Sequence, residues 1–188
     1  MLDLIIRNAR IVGETETVDL GCLDGRITER TGRLEGPARK EIDAGGHLVS
    51  PPFVDSHFHM DSTLTYGTPR YNESGTLYEG ISLWGEIKPG LTVEDIEQRA
   101  LLLCRWAIAR GSLAIRSHVD IGDPGLTAVH ALLEVRKKVS PWLDLQLVAF
   151  PQDGYFRDPK AVDLLNRALD LGVDIVGGNP HFERTYDD

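Results

Sequence analysis

An α/β chain with a parallel sheet is predicted, built as the first four βα units of a closed eight-stranded barrel and preceded by a small all-β segment. Three observations predict it. From His47 onward, short apolar runs alternate with stretches of helical spacing, which calls for crossover connections and parallel strands. Phe53, Val54, Phe58 and Met60 surround a strand expected to be buried on both faces, as in a barrel wall. The predicted strands also end in polar side chains, at the end where parallel α/β architectures collect their working residues. A closed barrel takes about 250 residues, so half of one is expected here.

Residues 2 to 49 read as short strands and turns. Leu4-Ile-Ile6 leads into Ala9-Arg-Ile-Val12, and Val18 to Leu23 precedes the turn at Asp24-Gly25. Asp-Gly between such runs signals a hairpin, pairing Gly21–Leu23 with Arg26-Ile-Thr28. Thr31 to Lys40 is polar and reads as loop, and Glu41 to Ala44 as another strand before Gly45-Gly46. This β element is too short to be a sandwich by itself.

The first strand of the parallel sheet is expected from His47 to His59, with Pro51-Pro52 near its start because proline cannot donate to a ladder. A polar segment from Asp61 to Gly75 is long enough to be an active-site loop, and a short helix follows over Leu77–Glu86. Thr92 caps a stronger helix with Asp95 at the capping-box position, Ile96, Leu103 and Ala107 in register and Gly111 past its end. The second strand is Leu113–Asp120, followed by a helix from Leu126 to Val139 whose last turns carry Arg136, Lys137 and Lys138. The third strand is Leu143–Phe150. Asp158 and Pro159 then open a helix that stops at Gly172, and Val173–Gly178 is the fourth strand.

With 41% hydrophobic and 26% charged residues the composition is that of a globular protein, and a net charge of −9 argues against a nucleic-acid partner. No apolar run has the length of a membrane span and Met1–Arg7 lacks signal-peptide character, so a cytoplasmic location with no membrane partner is expected. Cys22 and Cys104 are far apart and read as buried thiols.

His57-x-His59 is the first candidate site. Residues two apart on a strand point the same way about 6 to 7 Å apart, so two imidazoles can converge on one metal ion. His118 and Asp120 follow at the second strand's end, either as a hydrogen-bonded brace or in contact with ligand. Gln152 lies past the third strand, where a neutral amide offers both donor and acceptor to the carbonyl and N–H edge of a small heterocycle. Asn179, His181 and Glu183 sit past the fourth, the last two resembling a ligand and an acid. His47 and His130 read as surface or structural.

The segment Val49-Ser-Pro-Pro-Phe-Val-Asp-Ser-His-Phe-His-Met-Asp61 resembles the first barrel strand of the amidohydrolase superfamily, and Asp3-Leu-Ile-Ile-Arg-Asn-Ala9 resembles that superfamily's N-terminal β-sandwich strand. More narrowly, Ser74–Ile81, Arg116-Ser-His-Val-Asp120, Asp144–Gln152 and Pro180-His-Phe-Glu183 are similar to barrel-type bacterial cytosine deaminases. The resemblance implies a (β/α)8 TIM barrel, with residues 1–49 a partial N-terminal β-sandwich and 50–188 the first half of the barrel. It covers the front half of the family's protein.

By position, the resemblance makes His57 and His59 metal ligands, Gln152 the reader of the pyrimidine's amide edge, Leu77 a backbone contact to the ring and Phe150 part of the pocket lining. It leaves His118, Asp120 and His181 as supports around them. The family's remaining ligands, a histidine after the fifth strand and an aspartate after the eighth, and the proton-shuttling glutamate have no counterpart in this sequence, and His181 and Glu183 match a different place in the pattern. A bridging lysine of two-metal relatives is absent from Val173 to Asp188, so one divalent ion, zinc or iron, is expected. The implied reaction is hydrolytic deamination of cytosine, or of isoguanine or an aminotriazine. A chain without the other ligands would be inactive and hold metal weakly, and a complementing C-terminal half or a homo-oligomer is expected.

Overall fold

The computed structural model describes residues 1–183 and divides the chain into two compact units, Met1–Pro51 and Pro52–Asp188. In the first, β1 (Leu2–Arg10), β2 (Thr17–Leu23), β3 (Arg26–Thr31) and β4 (Ala38–Asp43) form one sheet in the order β3-β2-β1-β4. Asp24 and Gly25 both take positive φ, 50° and 73°, the primed-turn geometry that follows the twist of a hairpin. Leu23 pairs with Arg26 and Cys22 with Ile27. β4 starts earlier than the expected Glu41 because Ala38–Lys40 pairs in parallel with β1, Leu4 opposite Lys40. Polarity alone hid that segment.

Ile5, Ala9, Leu20 and Leu34 form the apolar centre of this unit, and Asp19 lies among them only 4% exposed. Its carboxylate accepts the N–H groups of Asn8 and Leu34, both at 3.0 Å, and an arm of the Arg7 guanidinium at 2.7 Å. Arg7 also grips Glu41 through two nitrogens and donates to the Leu34 carbonyl. Burial alone would raise the Asp19 pKa, but the Leu34 N–H, Arg7 and the Asn8 N–H together hold it below the usual carboxylate value.

In the second unit, β5 (Phe53–Phe58), β6 (Ser112–Asp120), β7 (Asp144–Phe150) and β8 (Ile175–Val176) form a parallel sheet in sequence order. Helices α1 (Leu77–Ile87), α2 (Val93–Ala109), α3 (Thr127–Val139) and α4 (Ala161–Asp170) occupy the crossovers. Ile96, Ala100 and Cys104 of α2 and Val129, Leu132 and Val135 of α3 bury against Ile115 and Val119 of β6 and Leu145, Leu147 and Ala149 of β7. Strand alternation leaves Arg116, His118, Gln146 and Phe150 on the opposite face. No helix among the described residues is long and apolar enough to cross a membrane.

Four details depart from the sequence reading. β5 starts at Phe53, since Val49 bonds to β1 and Pro51-Pro52 cannot join the ladder. It is not buried on both faces: Phe53 is 66% and Val54 69% exposed, because β5 is an edge strand paired only with β6 among the described residues. The helix after β7 starts at Ala161 without a side-chain cap; Asp158 instead closes the preceding turn, accepting the N–H groups of Lys160 and Ala161. β8 is only two residues long, although Asp174 and Gly177 extend its contact with β7 by single backbone bonds to Leu147 and Ala149.

Replacing Asp19 by alanine strands two backbone N–H groups and should cost about 1 to 3 kcal/mol in urea unfolding. Because the folded pKa is depressed, the stabilisation contributed by ionisation is present above the ordinary carboxylate range and disappears as pH falls through the folded value. The variant should therefore lose part of the wild-type acid-unfolding transition, and superimposable pH profiles would exclude Asp19 as its source.

Candidate functional site

The site lies at the C-terminal ends of the parallel strands. His57 is the penultimate residue of β5 and His59 follows the strand immediately, with the Asp55 side chain accepting the His57 N–H at 3.2 Å. Register places the next strand so that Phe58 faces Ser117. The ring of His118 thereby comes 4.1 Å from that of His57 and 5.4 Å from that of His59, centroid to centroid. One ring nitrogen from each of the three lies within 4.8 Å of the others.

Neutral imidazoles are needed if such a cluster is to offer lone pairs. Burial first, then the neighbouring His118 and His57, push the His59 pKa down to about 4 against the opposing pull of Asp120. Burial and His57 also lower His118. Its Nδ1 is buried without a hydrogen-bond partner among the described residues, an arrangement that costs free energy unless something else takes the lone pair or proton. Three imidazoles, an orphaned ring nitrogen and suppressed protonation fit a divalent transition ion. The residues present therefore include a third imidazole beside the expected His57–His59 pair.

The loop after His59 is tied down from beneath. Asp61 is 1% exposed; one carboxylate oxygen accepts the Ser62 N–H at 2.9 Å and the other the Asp120 N–H at 2.8 Å. Burial pushes its pKa up to about 7, opposed by the Asp120 N–H. Met60 donates to the Ser117 hydroxyl, and Arg99 of α2 reaches the carbonyls of Asp61 and Thr63.

Asp120 does not brace His118. Its Oδ2 accepts the Trp84 indole N–H at 2.7 Å and the Lys88 ammonium at 2.8 Å, and its Oδ1 takes the Gly122 N–H at 2.7 Å. A cation and two N–H donors outcompete an imidazole held neutral. Lys88 also reaches Asp153 at 3.3 Å. Burial opposes its charge, yet the two carboxylates hold its pKa above the ordinary lysine value.

Beside the histidines lies a cavity of about 550 Å³ lined by His57, His59, Leu77, Phe150, Gln152 and His181 among others. His118 and Asp120 are not among its lining residues. Glu183 is occupied elsewhere, both oxygens accepting backbone N–H groups of Tyr155 and Phe156. Sequence reasoning missed the wall contributed by Ile81 and Trp84; Asn179, a strand-end group in the sequence, and Asp61 also line the cavity. The i, i+4, i+7 spacing of Leu77, Ile81 and Trp84 was the available signal.

Residues 40–187 match the sequence model described as the amidohydrolase family. N-isopropylammelide isopropyl amidohydrolase from Pseudomonas sp. is 35% identical over 185 residues, an alignment covering 94% of this chain and 45% of that protein. The crystal structure of 5-methylcytosine deaminase from Klebsiella pneumoniae liganded with 5-fluorocytosine superposes with a TM-score of 0.91 at 43% identity, covering 97% of this chain and 45% of that one. N-isopropylammelide isopropylaminohydrolase from Burkholderia multivorans gives 0.78 at 30%, covering 94% and 45%. The chain thus spans about half the length of these relatives.

Asp61→Ala should leave the buried N–H groups of Ser62 and Asp120 unpaired and lower unfolding free energy by about 2 to 3 kcal/mol. Asp55→Ala, which removes a bond to an exposed His57, should cost far less. Equal losses in denaturant titration would mean that the Asp61 bonds are not the anchor.

Proposed function

The chain belongs to the amidohydrolase family, and from that footing we propose that it forms the metal-binding and ring-reading half of a barrel hydrolase that releases ammonia from cytosine or a related amino-substituted N-heterocycle. The observation carrying this reading is the shared cavity, in which imidazoles able to hold an ion stand beside an apolar slot and the neutral amide of Gln152.

His57 and His59 would hold one divalent ion, zinc or iron, with His118 the third imidazole of the cluster. Such an ion supplies activation of water near neutral pH for attack on an electron-poor ring carbon. The chain's own residues do the rest of the recognition. Leu77, Ile81, Trp84 and Phe150 give flat apolar walls that suit a planar ring and exclude bulk water. The Trp84 plane is fixed because its N–H is committed to Asp120. Gln152 offers a donor and an acceptor to the ring edge bearing a carbonyl and a neighbouring N–H, which sets which carbon is presented to attack.

The further ligands and the acid/base glutamate implied by the family pattern have no counterpart in residues 1–188. Complementing strands, from the same protein or a second chain, would cover the edges of β5 and β8 that are unpaired among the described residues, where Phe53, Val54 and Val176 are more than half exposed. A second reading, amine release from an aminotriazine, is supported by the 35% identity to the N-isopropylammelide hydrolase.

In the full-length protein, ammonia release should be fastest from cytosine or 5-methylcytosine within a panel that includes isoguanine and N-isopropylammelide; a preference for the triazine would select the second reading. Gln152→Ala should lower cytosine turnover about a hundredfold while metal content measured by mass spectrometry stays at the wild-type level. His57→Ala and His59→Ala should each lose bound metal. Metal retention in both would remove the pair from the ion site.

A further inference from the structure

Gln152 can read a ring only if its amide is held in one place, yet it follows β7 on a turn through Pro151. Among the described residues no hydrogen bond restrains its side chain. Its main-chain carbonyl is restrained instead, accepting from Asn179 Nδ2 at 2.8 Å. Asn179 belongs to the segment after β8, and further bonds join the same two segments. The Tyr155 hydroxyl donates to the Gly177 carbonyl at 2.6 Å, and Glu183 receives the N–H groups of Tyr155 at 2.6 Å and Phe156 at 3.1 Å.

The packing between them leaves no slack. Gly154 sits at φ +87°, and a Cβ there would lie 2.9 Å from a Glu183 oxygen and 3.0 Å from the Phe182 carbonyl. At Gly177 a Cβ would lie 2.7 Å from Val148 and 2.9 Å from the Ala149 carbonyl. Both glycines are therefore required by close approach, which a side chain would open.

We propose that Asn179 and Glu183 are positioning residues that act through Gln152, locking the turn after β7 onto the segment after β8 so that the Gln152 amide presents a fixed donor–acceptor edge to the ring. This rests on the reading that Gln152 meets the heterocycle. Glu183, which looks like an acid in sequence, thereby acquires a different role, since its two oxygens hold backbone rather than move a proton.

The test uses the full-length protein with cytosine as probe. Hydrogen–deuterium exchange across residues 152–156 should accelerate in Asn179→Ala and in Glu183→Ala, less in Glu183→Gln, which keeps one acceptor oxygen. Metal content should not change. Each alanine variant should lower kcat/KM for cytosine about 10- to 100-fold. In a double-mutant cycle, Asn179→Ala should add almost nothing in a Gln152→Ala background, because the strap acts through that residue. A merely structural residue would give additive losses. Additive losses, or exchange rates that stay at the wild-type value, would overturn the proposal. If Gln152→Ala alone leaves cytosine kinetics unchanged while exchange responds as expected, the reading of Gln152 fails and the positioning role falls with it.

Discussion

A carboxylate enclosed on all sides must be hydrogen-bonded or neutral, and Asp61 meets that constraint by binding the backbone N–H groups of Ser62 and Asp120. The bond to the Asp120 N–H joins the loop leaving β5 to the end of β6. Much at the rim of the parallel sheet follows from the junction. It places His59 beside His118, and it holds the Asp120 backbone while the Asp120 side chain reaches Trp84 and Lys88. Lys88 in turn reaches Asp153 beyond β7. Three strand ends and α1 are therefore connected through one short relay that runs from buried Asp61 and Asp120 out to exposed Asp153.

The relay separates two kinds of stabilisation. Asp120 and Lys88 face each other with N–H donors completing the carboxylate, so the desolvation cost of both charges is offset locally. The histidines are treated in the opposite way. They sit close to one another without a hydrogen-bonded carboxylate partner among the described residues, and burial with the neighbouring imidazoles lowers the His59 pKa.

Much of this was legible in the sequence where chemistry is local. The Asp24-Gly25 turn and the Thr92 cap are each decided within a few residues, and His57-x-His59 points at one side by strand alternation alone. What was not legible depends on register and competition. That His118 joins the pair follows from Phe58 standing opposite Ser117, a pairing between distant stretches of chain that no spacing encodes. That Asp120 abandons His118 follows from Lys88 and Trp84, both on the far side of a loop and a helix. The exposure of Phe53 and Val54 was misjudged for a related reason: apolar composition states what a strand can bury against, not whether the neighbour is present in the same chain.

In the proposed reading, rigid placement of an ion and rigid placement of a ring would pose different mechanical problems, met by different parts of the fold. Imidazoles borne on or beside paired strands inherit the stiffness of the ladder, so His57 and His118 need little further support. An amide on a turn inherits none. Gln152 is steadied by bonds borrowed from the next βα unit, through Asn179, Tyr155 and Glu183, while the apolar wall opposite is steadied by the Trp84–Asp120 bond. In the proposed reading, ion and ring placement would be linked through backbone: the Asp61 junction holds the end of β6 beside the histidines and, by way of Asp120, the tryptophan against which a planar ligand would lie. A change of substrate could then be made at Leu77 or Ile81 of α1 or at the Gln152 side chain, none of which bonds to the Asp61–Asp120 junction, without disturbing the imidazoles, which is the kind of separation that lets one scaffold serve several heterocycles.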